Sequence, residues 1–265
     1  MPEGGRDGWL VPDWPAPACV RAVCTTRAGG VSGAPYASLN LGDHVGDDAA
    51  RVAANRALFQ QAIQAQPVFL NQVHGTRVLQ LSAATPHAVE ADACVTQVPG
   101  IACTIMVADC LPVLFSTTQG DWVAAAHAGW RGLAGLGGLG VLEQTLKNFC
   151  ALAQVQQAQE ATNIIAWLGP CIGPDAFEVG DEVRAAFVAH APPQAAQLFT
   201  PASGGKWLAD LAGLARQRLA TLGITKVYGN DSSPAWCTVG NASAFFSHRR
   251  DRVSGRFAVS IWRQV

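Results

Sequence analysis

The sequence predicts an α+β fold, or a mixed α/β one: a single domain with mixed β-sheets flanked by helices. Three observations lead there. Short runs rich in β-branched and aromatic residues recur along the chain, each bounded by turn signals. Helical patterns fall between them irregularly rather than after every strand, which argues against a doubly wound sheet. No repeat period and no long polar linker divides the 265 residues, so one core is expected over 1–265, with a loosely held segment at 1–18.

The elements follow in order. VRAVCTTR (20–27) is the first strand-like run, and residues 40–63, NLGDHVGDDAARVAANRALFQQAI, read as a polar loop leading into a helix. PVFLNQV (67–73), TRVLQLS (76–82), ADACVTQ (91–97), IACTIMVA (101–108), LPVLFSTT (111–118) and WVAAAHA (122–128) follow as strands. A helix is predicted from about Leu136 to Cys150, although each glycine within it costs about 1 kcal/mol relative to alanine. NIIAWLG (163–169) returns to strand. DEVRAAFVAHA (181–191) reads as a helix capped by Asp181, and KWLADLAGLARQRLATLG (206–223) as one ended by Gly223. RFAVSIWR (256–263) is the last strand. No G-x-G-x-x-G follows an early strand, which excludes the dinucleotide-binding fingerprint.

Composition narrows the function classes. Charged residues make up 14% against 49% hydrophobic, which describes a compact globule with a large core. A formal net charge of -1 leaves no basic surplus for nucleic acid. The N-terminal stretch lacks the basic and apolar regions of a signal peptide, and charges, Gly, Pro or His interrupt every apolar run before membrane-spanning length. The expectation is a cytoplasmic, soluble protein without membrane partners, and a monomer because no heptad appears. None of the eight cysteines forms a C-x-x-C pair, so reduced, structural cysteines are expected.

Three residues suggest chemistry. His74 in FLNQVHGTR, Cys110 in VADCLPV and His127 in AAAHAGWRG each end an apolar strand beside a turn. Strands fix such positions while turns give access. Two imidazoles and a thiolate suit zinc, and a catalytic zinc commonly takes three protein ligands. The bland reading competes: a lone Cys in an apolar strand is most often a small core residue. Cys110 with His127 also fits a metal-free thiolate–imidazolium pair. The residues alone leave these alternatives open.

Seven motifs in order, TTRAGGVSGAPYASLNLGDHVGDD, NQVHG, ADAC, VADCLPV, HAGWRG, GPCIGPDAFEVG and RRDRVSGR, resemble the YfiH-type laccase-domain family. Its members are also called multicopper polyphenol oxidoreductases and are described as purine nucleoside phosphorylases. The resemblance spans about Arg21 to Arg263. It implies a fold similar to that of the toxin deamidases with a Cys–His pair, and a zinc site at His74, Cys110 and His127. It also implies phosphorolysis of adenosine, inosine, guanosine and methylthioadenosine, with deamination of adenosine. Copper fits poorly, because the chain has six His, two Met and no His-x-His pair.

For substrate and phosphate the candidates are Arg27, Asn40, His44, Arg131 and Arg250, with Asp47 and Arg249 also in question. Arg131 stands first among the arginines, four residues after His127 at the mouth of a helix. Asp92 and Asp109 are candidates to orient the ligand residues, although regular strand would turn Asp109 away from Cys110. Glu178 reads as a cap and Cys171 as structural. Rival functions are a metal-independent Cys–His hydrolase, for example one that edits peptidoglycan precursors, and a non-catalytic metal-binding module.

Overall fold

The computed structural model describes residues 8–153, 161–190 and 193–264. Every strand-like run of the sequence forms a strand: β1 (Val20–Cys24), β2 (Gln66–Phe69), β3 (Val78–Gln80), β4 (Ala93–Thr96), β5 (Ile101–Val107), β6 (Leu111–Thr117), β7 (Val123–Ala128), β8 (Ile164–Leu168) and, last in the chain, β13 (Phe257–Arg263). Four short strands were not foreseen: β9 (Glu178–Val179), β10 (Phe199–Pro201), β11 (Trp207–Ala209) and β12 (Lys226–Gly229).

The strands build two large sheets and one small one. The first has the order β1-β13-β5-β2 and the second β12-β8-β6-β7-β4-β3; β10-β11-β9 forms the third. Both large sheets mix parallel and antiparallel pairs, as expected for this fold class.

Side-chain alternation explains the layering. Alternate residues of a strand face opposite sides of the sheet. In β6, Val113 and Phe115 pack beneath helices, while Leu114 turns toward the first sheet. In β5, Cys103, Ile105 and Val107 face the second sheet, while Ala102 and Met106 face outward. Both faces of each sheet are therefore buried, so their strands read as near-continuous apolar runs.

Helices cover the outer faces. On the first sheet lies α1 (Ala49–Ile63), through Phe59 and Ile63. Its N-terminus is capped by Asp48, which accepts from the Arg51 N–H at 2.9 Å. On the second sheet lie α3 (Val141–Ala153), α4 (Asp181–Val188) and α5 (Leu211–Thr221). Two short helices complete the set: α2 (Trp130–Ala134), with Arg131 in its first turn, and α6 (His248–Asp251), which was not anticipated.

Four expectations need correction. The predicted 136–150 helix starts only at Val141, because Gly135, Gly137 and Gly138 adopt positive φ. The start of the 206–223 helix is instead strand β11, and Asp210 caps α5 by accepting from Gly213 N–H at 2.8 Å. Asp181 is not a cap: Gly180 holds that position, and Asp181 accepts from Trp207 Nε1 at 2.6 Å. Glu178 caps nothing; it lies in β9 and pairs with Lys206 at 2.7 Å.

The segment expected to be loose falls partly on residues 1–7, outside the described residues. Beyond them Trp9 is buried against Phe59, and Leu10 exchanges main-chain hydrogen bonds with Cys24. All eight cysteines are free thiols. Among the described residues, no helix is long and apolar enough to cross a membrane.

Candidate metal centre and substrate cleft

Three chain segments bring His74, Cys110 and His127 together. His74 stands in the loop after β2 with φ of 61°, a left-handed conformation uncommon outside glycine. Cys110 follows Asp109, whose φ of 97° makes the tight turn from β5 to β6. His127 is in β7, directly across from Pro112 of β6. The hairpin register, rather than the 17-residue separation, sets Cys110 beside His127.

The three ligand atoms all lie within 4.8 Å of one another. Cys110 Sγ is 3.6 Å from His74 Nε2, and the two imidazole rings meet edge-on with centroids 4.8 Å apart. Gly129 permits this approach: a Cβ there would lie 2.7 Å from His74 Cδ2 and 3.0 Å from Cys110 Sγ. These residues form a His–Cys–His group able to hold a metal ion.

Asp92 organises the group. It is fully buried, and its two oxygens accept from His127 Nδ1 at 2.8 Å and from the N–H groups of Val73, His74 and Gly75 at 3.2, 2.9 and 2.7 Å. One carboxylate thus fixes the His74 loop and orients His127, the arrangement expected behind a ligand imidazole. Burial pushes the Asp92 carboxyl up, but His127 and these N–H groups outweigh it and hold the group below its usual range.

The donors polarise one another. Burial raises the Cys110 thiol, yet the His127 charge and hydrogen bond, then His74, pull it down to about 6. Burial lowers His127, yet Cys110 and Asp92 raise it to about 9. Without a metal the pair is a thiolate and an imidazolium at neutral pH. The same thiolate character suits a metal ligand.

Gln72 was missed in the sequence. Its side-chain amide donates to Met106 O and accepts from Met106 N–H, both at 2.8 Å, imitating one more rung of the β2–β5 ladder. That amide seats the His74 loop against β5. Its position in NQVHG was visible, but no local pattern discloses a side chain replacing backbone.

The group opens into a cleft of about 440 Å³. Ile172, Phe177, Leu211 and Trp130 give it an apolar wall, while His44, Arg131, His248, Arg249, Arg252 and Arg256 bring cationic or titratable groups. His44 and Arg131 thus line the same cleft as the His–Cys–His group. His44 is held by Asp43 at 3.5 Å, which Arg56 holds at 3.1 Å.

Other candidates serve the scaffold. Arg27 does not line the cleft; its guanidinium donates to the carbonyls of Ala37 and Ala242 at 2.9 and 3.0 Å. Arg250 donates to the carbonyls of Thr238, Val239 and Phe245 and to Asp251. Asn40 is buried, bonding Gly42, Asp47 and the Arg256 N–H. Asp47 is bound by Ser32 and Asn40 and builds the same loop. Asp109 lines the cleft, but its oxygens accept from Thr238 Oγ1 at 2.6 Å and Arg249 N–H at 2.7 Å, so it joins three segments rather than orienting a ligand ring. Cys171 is buried beside Asn230 and is structural.

The fold and site define a mixed-sheet α+β protein with a His–Cys–His group where three chain segments converge. The profile of the family described as multi-copper polyphenol oxidoreductase laccase matches residues 21–264. A purine nucleoside phosphorylase of Pseudomonas aeruginosa is 48% identical over 259 residues, 97% of this chain and 99% of the relative. The purine nucleoside phosphorylase YfiH of Escherichia coli is 48% identical over 255 residues, 96% of this chain and 98% of the relative. The crystal structure of Neisseria meningitidis protein NMB0706 superposes with a TM-score of 0.86 at 45% identity, covering 98% of this chain and 100% of that one. YlmD from Geobacillus stearothermophilus gives 0.88 at 30% identity, covering 99% of each chain. The chain belongs to the YfiH-type laccase-domain family.

Proposed function

We propose that the protein is a zinc-dependent purine nucleoside phosphorylase that also deaminates adenosine. Its substrates would be adenosine, inosine, guanosine and methylthioadenosine, cleaved with phosphate to base and a ribose 1-phosphate. The observation that carries the reading is the His–Cys–His group at a cleft with one apolar wall and several cationic side chains. Relatives at 48% identity bearing the phosphorylase name support it.

His74, Cys110 and His127 would hold the zinc: two neutral imidazoles and a thiolate are the donor set it favours. Zinc supplies Lewis acidity and lowers the pKa of bound water. The chain's own residues do the rest. Asp92 accepts a hydrogen bond from His127 Nδ1–H, which leaves Nε2 to face the group. Phe177, Trp130, Ile172 and Leu211 offer the purine an apolar face that excludes water. The cleft arginines neutralise phosphate and place an oxygen near the anomeric carbon, a positioning effect.

Chromatography of adenosine incubated with metal-loaded protein, with and without phosphate, tests this beside Cys110→Ala. Phosphate-dependent adenine and ribose 1-phosphate, absent from the variant, are expected, and inosine without phosphate reports deamination. If no nucleoside is consumed, the reading fails.

One observation favours a second reading. Cys110 near 6, His127 near 9 and Asp92 behind the imidazole form the constellation of a cysteine hydrolase. That reading requires activity to survive complete chelation; the zinc reading requires its loss.

A further inference from the structure

The arginines near the cleft differ in how much of each guanidinium is already engaged. Arg249 donates to the carbonyls of Ala176 and Glu178, both at 3.1 Å. Arg27 and Arg250 are committed to carbonyls away from the lining. Arg131 is exposed and stacks over Trp130 at 4.4 Å, and Arg252 is exposed as well.

Arg256 stands apart. Its main-chain N–H donates to Asn40 Oδ1 at 2.8 Å, and its stem packs so closely on Gly42 that a Cβ there would lie 2.8 Å from Arg256 Cγ. Nη1 donates to Ser254 O at 2.9 Å and Gly255 O at 3.0 Å. One edge of the fork is therefore anchored. Nε and Nη2 have no protein partner among the described residues. They are not among the sealed, unsatisfied side-chain atoms either, which are Arg184 Nε and Arg218 Nε. Arg256 itself lines the cleft.

Among the described residues no carboxylate forms a direct ion pair with this cation. Asp109, within its electrostatic reach, has one oxygen occupied by Thr238 and the other by the Arg249 N–H. Cys110 and His44 also lie within that reach. A half-buried guanidinium with one unengaged edge has lost solvation there that a bound anion would restore. Two parallel N–H groups on a fixed edge match two oxygens of a phosphate.

We infer that Arg256 is the phosphate-binding residue of the cleft, gripping inorganic phosphate through Nε and Nη2 beside the metal group. This rests on the phosphorylase reading for its role in turnover. The bound phosphate contributes an oxygen lone pair to the new bond at C1′. The C1′–N9 pair departs with the purine, and the proton carried by hydrogen phosphate ends on the purine nitrogen. Arg131 and Arg252, exposed at the rim, attract the anion rather than hold it.

Two measurements decide. First, phenylglyoxal modification of the metal-loaded native protein is mapped by mass spectrometry with and without inorganic phosphate. Phosphate should slow reaction at Arg256 by at least about tenfold, and more than at Arg131 or Arg252, as expected for charge-assisted bonds. Protection confined to Arg131 or Arg252, or absent throughout, overturns the inference. Second, Arg256→Met should raise KM for phosphate at least about tenfold more than KM for inosine. Equal phosphate KM in variant and native enzyme also overturns it. Protection of Arg256 in a protein that consumes no nucleoside would sustain the anion site while defeating the phosphorylase reading.

Discussion

Replacing Asp92 by Asn tests whether one carboxylate holds the site together. In the native protein its two oxygens receive four donors, two apiece. The Asn amide keeps one oxygen and sets an NH2 against two donors that pointed at the other. Two charge-assisted bonds are lost, at about 1.5–3 kcal/mol each. Breaking a buried charged pair costs about 3–5 kcal/mol, so about 4 kcal/mol is expected. At about 2–4 °C per kcal/mol for a chain of this size, Tm should fall by about 8–16 °C. The assay is urea unfolding of both proteins after chelation, so that metal binding does not contribute. The sign of the pH dependence follows from the lowered Asp92 pKa. Its stabilisation is present above the unfolded carboxylate value, about 3.9, and disappears as pH falls through the folded value. The gap between the proteins should therefore close in acid. A difference below about 1 kcal/mol at pH 7, or one unchanged in acid, would refute the role given to Asp92.

Gly129→Ala should weaken metal binding by about 10–100-fold in competition with a chromophoric chelator, because the new methyl meets His74 and Cys110. Its φ of -65° and ψ of 157° suit alanine, so unfolding should shift by no more than about 1–3 kcal/mol. In chelator-treated protein, alkylation of Cys110 by iodoacetamide should rise with pH to half its maximum at about 6; a midpoint at the ordinary thiol value of 9.0 would contradict the imidazolium beside it. Asp47→Ala should cost about 1–3 kcal/mol at pH 7, since it strips partners from Ser32 and Asn40. Burial raises the Asp47 carboxyl, but Asn40, Ser32 and the Asp48 N–H lower it further, so this stabilisation is lost as pH falls below about 4.

Much of the core was readable because strands buried on both faces are written as apolar runs. The misses have physical causes. Strand β11 was absorbed into a helix because WLADLAGLARQRL keeps helical spacing throughout; Asp210, the actual cap, was the available signal. Leu136–Gly140 looked helical from its leucines, while its glycines wrote the loop. The His–Cys–His group was visible through strand ends and motif resemblance, and the structure brings all three together. The arginines were not separable by sequence. Arg250 shares the RRDRVSGR motif with Arg256, and Arg27 and Arg131 lie in two others, but main-chain carbonyls consume the donors of Arg27 and Arg250. Local pattern carries no record of such engagement.

The placement of β13 has a bearing on how the protein is made. This strand lies between β1 and β5, and β1 joins the first sheet only through it. During synthesis, His74, Cys110 and His127 all emerge from the ribosome long before Phe257–Arg263. Until those residues arrive, β5 lacks one neighbour and β1 has no place in the sheet. Arg249, Arg252 and Arg256 are missing from the cleft for the same interval. A nascent chain therefore exposes its His and Cys donors before it possesses the walls that would restrict access to them.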